Sequence, residues 1–246
     1  MTKYDVAIVG GGIAGRTAAM FTARAGLDTA VFDTDESILR RNAHLENFPG
    51  FPAGVNPRLL LDLQREQTER AGSDWFERKV VDVDQHPDGG FVLQPADEDN
   101  WAYRCDRLVA ATAGQLDYLD ELPVDTYTED GSRFVDATAA GRTSVDGLYA
   151  AGRLAGKPLQ AVVSAGHGGE VAVAVLEDAE VPFAFDWSVP EGYFTDRGHD
   201  VPPGVEEVSE ETRLERERRS IELMRESFAD AHPEDPDPHP ELRTDD

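Results

Sequence analysis

Cysteine is almost absent: Cys105 is the only one in 246 residues. A disulfide or a redox-active dithiol pair needs two thiols, so neither can form within these residues. Lysine is scarce too, confined to Lys3, Lys79 and Lys157, and 23 basic residues face 49 acidic ones for a formal net charge of -26. Nucleic acids and anionic membrane surfaces are held by basic patches, so this balance argues against either as a partner. No run approaches the ~18 uninterrupted apolar residues of a membrane span. No basic segment with an apolar core and a small-residue cleavage site precedes the first strand pattern, so a soluble, cytoplasmic protein is expected. No cluster of His, Cys or acids has metal-ligand spacing, and no metal is expected.

What is present suffices for one well-buried domain plus an appendage, with 40% hydrophobic residues. Residues 4–9 are an apolar run ending in glycines, 13–25 are rich in small residues, and 29–32 are a second apolar run. Strand, glycine turn, helix and strand within about 30 residues make the βαβ unit of a parallel sheet. A proline- and glycine-rich loop over 47–52 precedes a helix over 56–71, with Asn56 as N-cap, Pro57 in the first turn and Gly72 as the stop. Strands are expected over 79–85, 91–94, 103–111, 134–135 and 145–151, and a helix over 160–176. From Val181 to Gly204 aromatics and prolines replace periodicity, and a charged helix over 209–231 and a proline-acid tail follow. The expected fold class is α/β: a parallel sheet with helices and a small β-meander over 1–180, then an extension over 181–246.

The strongest local signal is Gly10-Gly11-Gly12-Ile13-Ala14-Gly15, a G-x-G-x-x-G between a strand and a helix. Gly10 permits the tight turn, Gly12 lets backbone approach a pyrophosphate, and Gly15 lets helix pack on strand. The helix amino end offers unpaired N–H groups and a positive dipole end to phosphates. Asp33 ends the second strand, where a carboxylate accepts hydrogen bonds from an adenosine ribose. These residues point to an adenine dinucleotide.

Over 1–115 and 143–178 the sequence also resembles the bacterial and archaeal thioredoxin reductase family, a pyridine nucleotide-disulfide oxidoreductase type. The resemblance rests on Glu46-Asn47-Phe48-Pro49-Gly50, the run from Tyr103 to Gly114, the run from Val145 to Gly152, and Gln160-Ala161 followed by Ser164-Ala165-Gly166. It implies a Rossmann-like three-layer domain and FAD as the cofactor. Gly10, Gly12, Ala14 and Gly15 would then cradle the pyrophosphate, Asp33 would hold the ribose, and Ile13, Thr34 and Val80 would also touch the nucleotide. Thr112, Ala113 and Gly114 would line the channel from adenine to ribityl chain, and Asn47 would approach the flavin. Gln160 and Ala161 would aim a helix amino end at the flavin N1–O2 edge. Gly152 and Arg153 stand where the family has glycine and an aspartate that binds the ribityl chain; a cation cannot accept those hydroxyl protons. The family's NADPH domain and C-x-x-C pair have no counterpart, their interval shrinking to 116–141. Thioredoxin reduction by the family's route is therefore not expected. Electrons would come from an external donor such as a redox protein, and the family's habit implies a homodimer. A non-catalytic FAD sensor or subunit, and a relative that binds ADP, NAD or nothing, are the alternatives. The acid-rich, lysine-poor balance resembles proteins of extreme halophiles.

Other residues carry blander expectations. Cys105 lies in a buried strand pattern and is expected to be inert. His44 and His167 lie near the inferred flavin segments, without a visible partner for proton transfer. Gly152 to Pro158 imitates a phosphate loop but lacks the first glycine and puts Pro158 in place of Ser or Thr. Glu215–Arg219 and Arg218–Glu222 suit a self-paired, solvated helix. Leu214, Ile221, Met224 and Phe228 form a narrow apolar stripe expected to dock on the body or on a second subunit.

Overall fold

Alternation of apolar side chains along the strands sets the layering. The computed structural model describes residues 1–97, 103–183, 185–239 and 242; the end of the expected acidic tail lies outside the described residues. The chain runs β1 (Thr2–Val9), α1 (Ile13–Arg24), β2 (Thr29–Asp33), α2 (Pro57–Arg70), β3 (Asp74–Glu77), β4 (Val80–Gln85), β5 (Phe91–Pro95) and β6 (Tyr103–Ala110). It continues with β7 (Thr126–Glu129), β8 (Ser132–Val135), β9 (Leu148–Ala150), α3 (Ala161–Asp178), β10 (Trp187–Pro190), β11 (Val205–Val208) and α4 (Glu210–Ser227). The main sheet has the order β3-β2-β1-β6, and β6 carries β9 in parallel on its carboxyl half and β5 antiparallel on its amino half. β4 pairs with β5, so these two strands peel away as the meander.

Val6, Ile8, Val31, Val109 and Tyr149 face α1 and α3, while Ala7, Val9, Phe32, Leu108 and Leu148 face the meander and its Val83, Phe91 and Leu93. Two cores thus share one sheet, the arrangement of helices, sheet and meander expected from the sequence. Small residues let the two helices close tightly. A Cβ added at Gly168 of α3 would stand 2.2 Å from the Ala14 carbonyl oxygen of α1.

Several elements differ from expectation. β9 is three residues long rather than seven, because Val145–Leu148 closes a turn (Leu148 N–H to Val145 O, 3.0 Å) at the positive-φ Gly147. The brief strand expected at 134–135 is half of the hairpin β7–β8. Its two-residue turn, Asp130-Gly131, has positive φ at both positions, the preference of a type I′ turn. β3 was not anticipated, nor was the β10–β11 pair in the segment that lacks periodicity. Gln160 is the N-cap of α3 rather than part of the helix, and α4 stops at Ser227. Arg213–Glu217 pairs at 2.7 Å on α4, but Glu215–Arg219 and Arg218–Glu222 do not close. The apolar stripe of α4 stays exposed, and Phe228 just after it packs on Phe51 of the body.

Candidate dinucleotide site

β1 and β6 run parallel and end side by side, so the loops that leave them meet at one edge of the sheet. Gly10 turns the chain there with φ 106, and a Cβ would stand 2.8 Å from the Ala111 carbonyl. Gly11 is constrained as tightly: a Cβ would lie 2.4 Å from the Asp33 carboxylate. At Gly15 a Cβ would strike the Gly10 oxygen at 1.9 Å, so this glycine packs α1 onto the loop. Beside Gly12, by contrast, a Cβ would find only Ser37 Oγ at 3.8 Å, leaving room for a ligand to lie on the backbone.

Two helix amino ends open here without side-chain caps. Gly12 is the N-cap of α1 and Gln160 that of α3, and neither helix has an acid in its first turn. The first intrahelical bonds run from Arg16 N–H to Gly12 O (2.9 Å) and from Ser164 N–H to Gln160 O (2.9 Å). The N–H groups ahead of them therefore have no acceptor within their helices. Gln160 could have capped its own helix, but its Oε1 instead accepts from Asn47 Nδ2 at 2.9 Å.

Asp33 is buried at the end of β2. Its Oδ1 accepts from Gly11 N–H at 3.0 Å, and its Oδ2 is buried without a hydrogen-bond partner in the chain. A buried unmatched carboxylate oxygen is costly, and the guanidinium of Arg16 at 3.5 Å offsets part of the charge. Arg16 is itself buried. It donates to Gly11 O and Leu61 O, lies 3.8 Å from Asp35, and stacks 4.9 Å from the Trp75 ring centroid. Burial lowers the Arg16 pKa against the pull of Asp33 and Asp35, and burial raises that of Asp35.

These parts border a cleft of about 1020 Å³. Gly10, Gly12, Ile13, Ala14, Asp33, Thr34, Asn47, Val80, Thr112, Ala113, Gly114, Arg153, Gln160 and Ala161 all line it. Gly15 and Gly152 do not. Gly15 sits under the loop, and Gly152 packs behind it, where a Cβ would be 2.8 Å from the Ala14 Cβ. Thr112 Oγ1 donates to Gln115 O at 2.6 Å and so shapes the loop after β6. Among the described residues Arg153 meets no carboxylate; its guanidinium lies 4.6 Å from the Phe134 ring centroid and 3.4 Å from Lys157 O. With Arg41, Arg78 and Lys79 it places four cations on the walls of the cleft in a strongly acidic chain.

His167 has two backbone partners. Nδ1 accepts from Gly152 N–H at 3.0 Å and Nε2 lies 3.0 Å from Ala139 O, so a neutral ring braces the chain between β9 and α3. Burial lowers its pKa, in keeping with that form. Cys105 is buried, and desolvation pushes its thiol up to about 12, where it is no nucleophile. Sequence reasoning missed Arg16, Gly11 and the wall over 36–45. A charged residue on the buried side of α1, directly after the glycine motif, was the available signal for Arg16. Among the described residues no His, Cys, Asp or Glu side chains gather as a metal site, and no helix is long and apolar enough to cross a membrane.

A parallel sheet flanked by helices, with a glycine loop under an uncapped helix and an acid at the end of the next strand, defines a Rossmann-like fold. Residues 4–123 match the family model for pyridine nucleotide-disulphide oxidoreductases. The thioredoxin reductase of Streptomyces coelicolor is 36% identical over 114 residues, 45% of this chain and 34% of that protein. That of Chlamydia trachomatis is 35% identical over 126 residues, 48% of this chain and 38% of that protein. The chain thus spans about a third of the length of the curated relatives it matches. Among solved structures, a thioredoxin reductase from Gloeobacter violaceus superposes with TM-score 0.62 at 19% identity, covering 75% of this chain and 97% of the other. An oxidoreductase from Agrobacterium tumefaciens gives 0.66 at 15% identity, covering 74% and 100%. These two establish the fold. Over 4–123 the chain is thus similar in sequence to pyridine nucleotide-disulphide oxidoreductases, thioredoxin reductases among them.

Proposed function

We propose that the cleft binds FAD, and that the chain is a flavin-dependent oxidoreductase or electron-transfer protein reduced by an external donor. The observation that carries this is Asp33 Oδ2, a buried acceptor without a hydrogen-bond partner among the described residues, beside a glycine loop that leaves room over Gly12. Asp33 takes the adenosine ribose, with Thr34 and Val80 beside it. The Gly10–Gly15 loop and the amino end of α1 face the diphosphate, Gly15 from beneath. Thr112, Ala113 and Gly114 follow the ribityl chain, while Asn47 holds Gln160 so that the amino end of α3 points its positive end at the flavin. Bound there, the isoalloxazine would accept and release electrons; the protein supplies position and electrostatics.

Thioredoxin reduction is not part of this reading, because one buried cysteine cannot provide a dithiol. The interval between β6 and β9 holds a hairpin and no second glycine fingerprint, in line with a nicotinamide domain reduced to a connector. A second reading, an FAD subunit whose partner performs catalysis, draws on the exposed stripe of α4; a second copy of the chain could cover that stripe instead. The acidic surface suits a cytoplasm of high salt.

The spectrum of the protein isolated in concentrated salt tests the proposal. Flavin absorbance, or its appearance on adding FAD, is the expected result. A colourless protein that takes up no FAD overturns it.

A further inference from the structure

The chain after α4 returns to the body and fastens to the back of one cleft wall. Phe228 packs on Phe51 with ring centroids 6.1 Å apart, His232 Nε2 meets Asp62 at 3.0 Å, and Asp237 N–H donates to Arg40 O at 3.1 Å. Two buried arginines are shared between tail and wall. Arg58, 2% exposed, donates to the carbonyl oxygens of Arg40 (2.8 Å), Asn42 (3.0 Å) and Glu234 (3.1 Å). Arg40, 8% exposed, pairs with Asp35 at 3.1 Å and with Glu234, and has Asp237 at 3.9 Å.

The segment 38–45, which includes Arg40, lies between Arg58 and the cleft. Only four of its residues form a regular turn, Ile38–Arg41. Its cleft side presents Leu39, Arg41, Asn42 and Leu45, and two of its carbonyls, at 40 and 42, are held by Arg58 from behind. A segment with so little hydrogen bonding of its own takes its shape from what it packs on. Buried guanidinium groups tolerate this position only while their donors are matched, and the tail supplies part of the match.

We propose that the tail, residues 228–237, is a working part of the dinucleotide site. Through Arg40 and Arg58, which are positioning residues, it holds the 38–45 wall in the shape against which the dinucleotide lies. The identity of the ligand rests on the FAD reading; the bracing of the wall does not.

The test uses the full-length chain with Phe228→Ser, Glu234→Ala and Asp237→Pro combined, which removes the ring contact, the ion pair and the Asp237 N–H. Amide hydrogen exchange over 38–45, measured without nucleotide, should quicken about tenfold or more while β1 and β6 keep their protection. The dissociation constant for FAD should rise about tenfold. Glu234→Ala alone should move both quantities in the same direction, and Glu234→Asp should restore most of each. Unchanged exchange over 38–45 overturns the proposal, as does loss of protection spread evenly over the domain. If the unaltered protein takes up no FAD, the proposed function fails, while the exchange result still decides the role of the tail.

Discussion

The amino ends of the four α-helices among the described residues fall into two pairs that are built differently. α2 and α4 carry ordinary caps: Asn56 Oδ1 accepts from Arg58 N–H at 2.9 Å, and Ser209 Oγ accepts from Thr212 N–H at 3.2 Å with Glu210 and Glu211 behind it. α1 and α3 have neither cap nor acid, and both open on the cleft. A cap is typically worth about 1 kcal/mol, so its omission at two ends that meet costs stability. The lesson is a division of labour: where a helix serves only the fold, the chain satisfies its first N–H groups, and where it faces the cleft those groups are left open to it.

Gly12→Asp is the sharpest way to break this comparison. Gly12 has extended backbone (φ -71, ψ -177), the geometry of an N-cap, so aspartate there should cap α1. Thermal unfolding should shift upward by a few tenths to about 1 kcal/mol. The same carboxylate occupies the diphosphate position, and FAD affinity should fall about a hundredfold or more, read by flavin fluorescence titration. A variant both more stable and still FAD-binding would show that α1 was never aimed at the ligand.

Asn56→Ala is the counterpart on the other pair. It should cost about 1 kcal/mol in denaturant unfolding and leave FAD affinity unchanged. An affinity loss as large as that of Gly12→Asp would erase the distinction between the two pairs. The smallest effect is expected from His167, which ties Gly152 to α3 as a neutral ring. Its pKa is lowered in the folded state, so the unfolded chain binds the proton more readily. Stability from this group is intact above the ordinary value of 6.5 and declines as pH falls below it. His167→Gln should flatten that part of the pH profile in thermal unfolding.

Legibility in the sequence followed the range of the interactions involved. The βαβ unit, the cap at Asn56 and the glycine loop are local, and each was readable within a few residues. The hairpin was signalled by Asp130-Gly131 but passed over, and β3 escaped because a four-residue edge strand takes its pairing from β2 rather than from its own pattern. At the site, motif spacing sufficed for Gly10, Gly12 and Asp33. Arg16, Arg40 and Arg58 were invisible as members of the site because their roles depend on partners as distant in sequence as Leu61 and Glu234. Arg153 was conspicuous as a departure, and only the fold laid it against Phe134.

By itself, then, the sequence determined a βαβ core with a glycine turn and an acid, since backbone conformation and apolar period are written in neighbouring residues. Tertiary structure alone decided which helix ends stay uncapped at a common cleft, and that the tail braces its wall. Those outcomes depend on burying charged and polar groups against partners far along the chain, and burial is a property of the packed molecule.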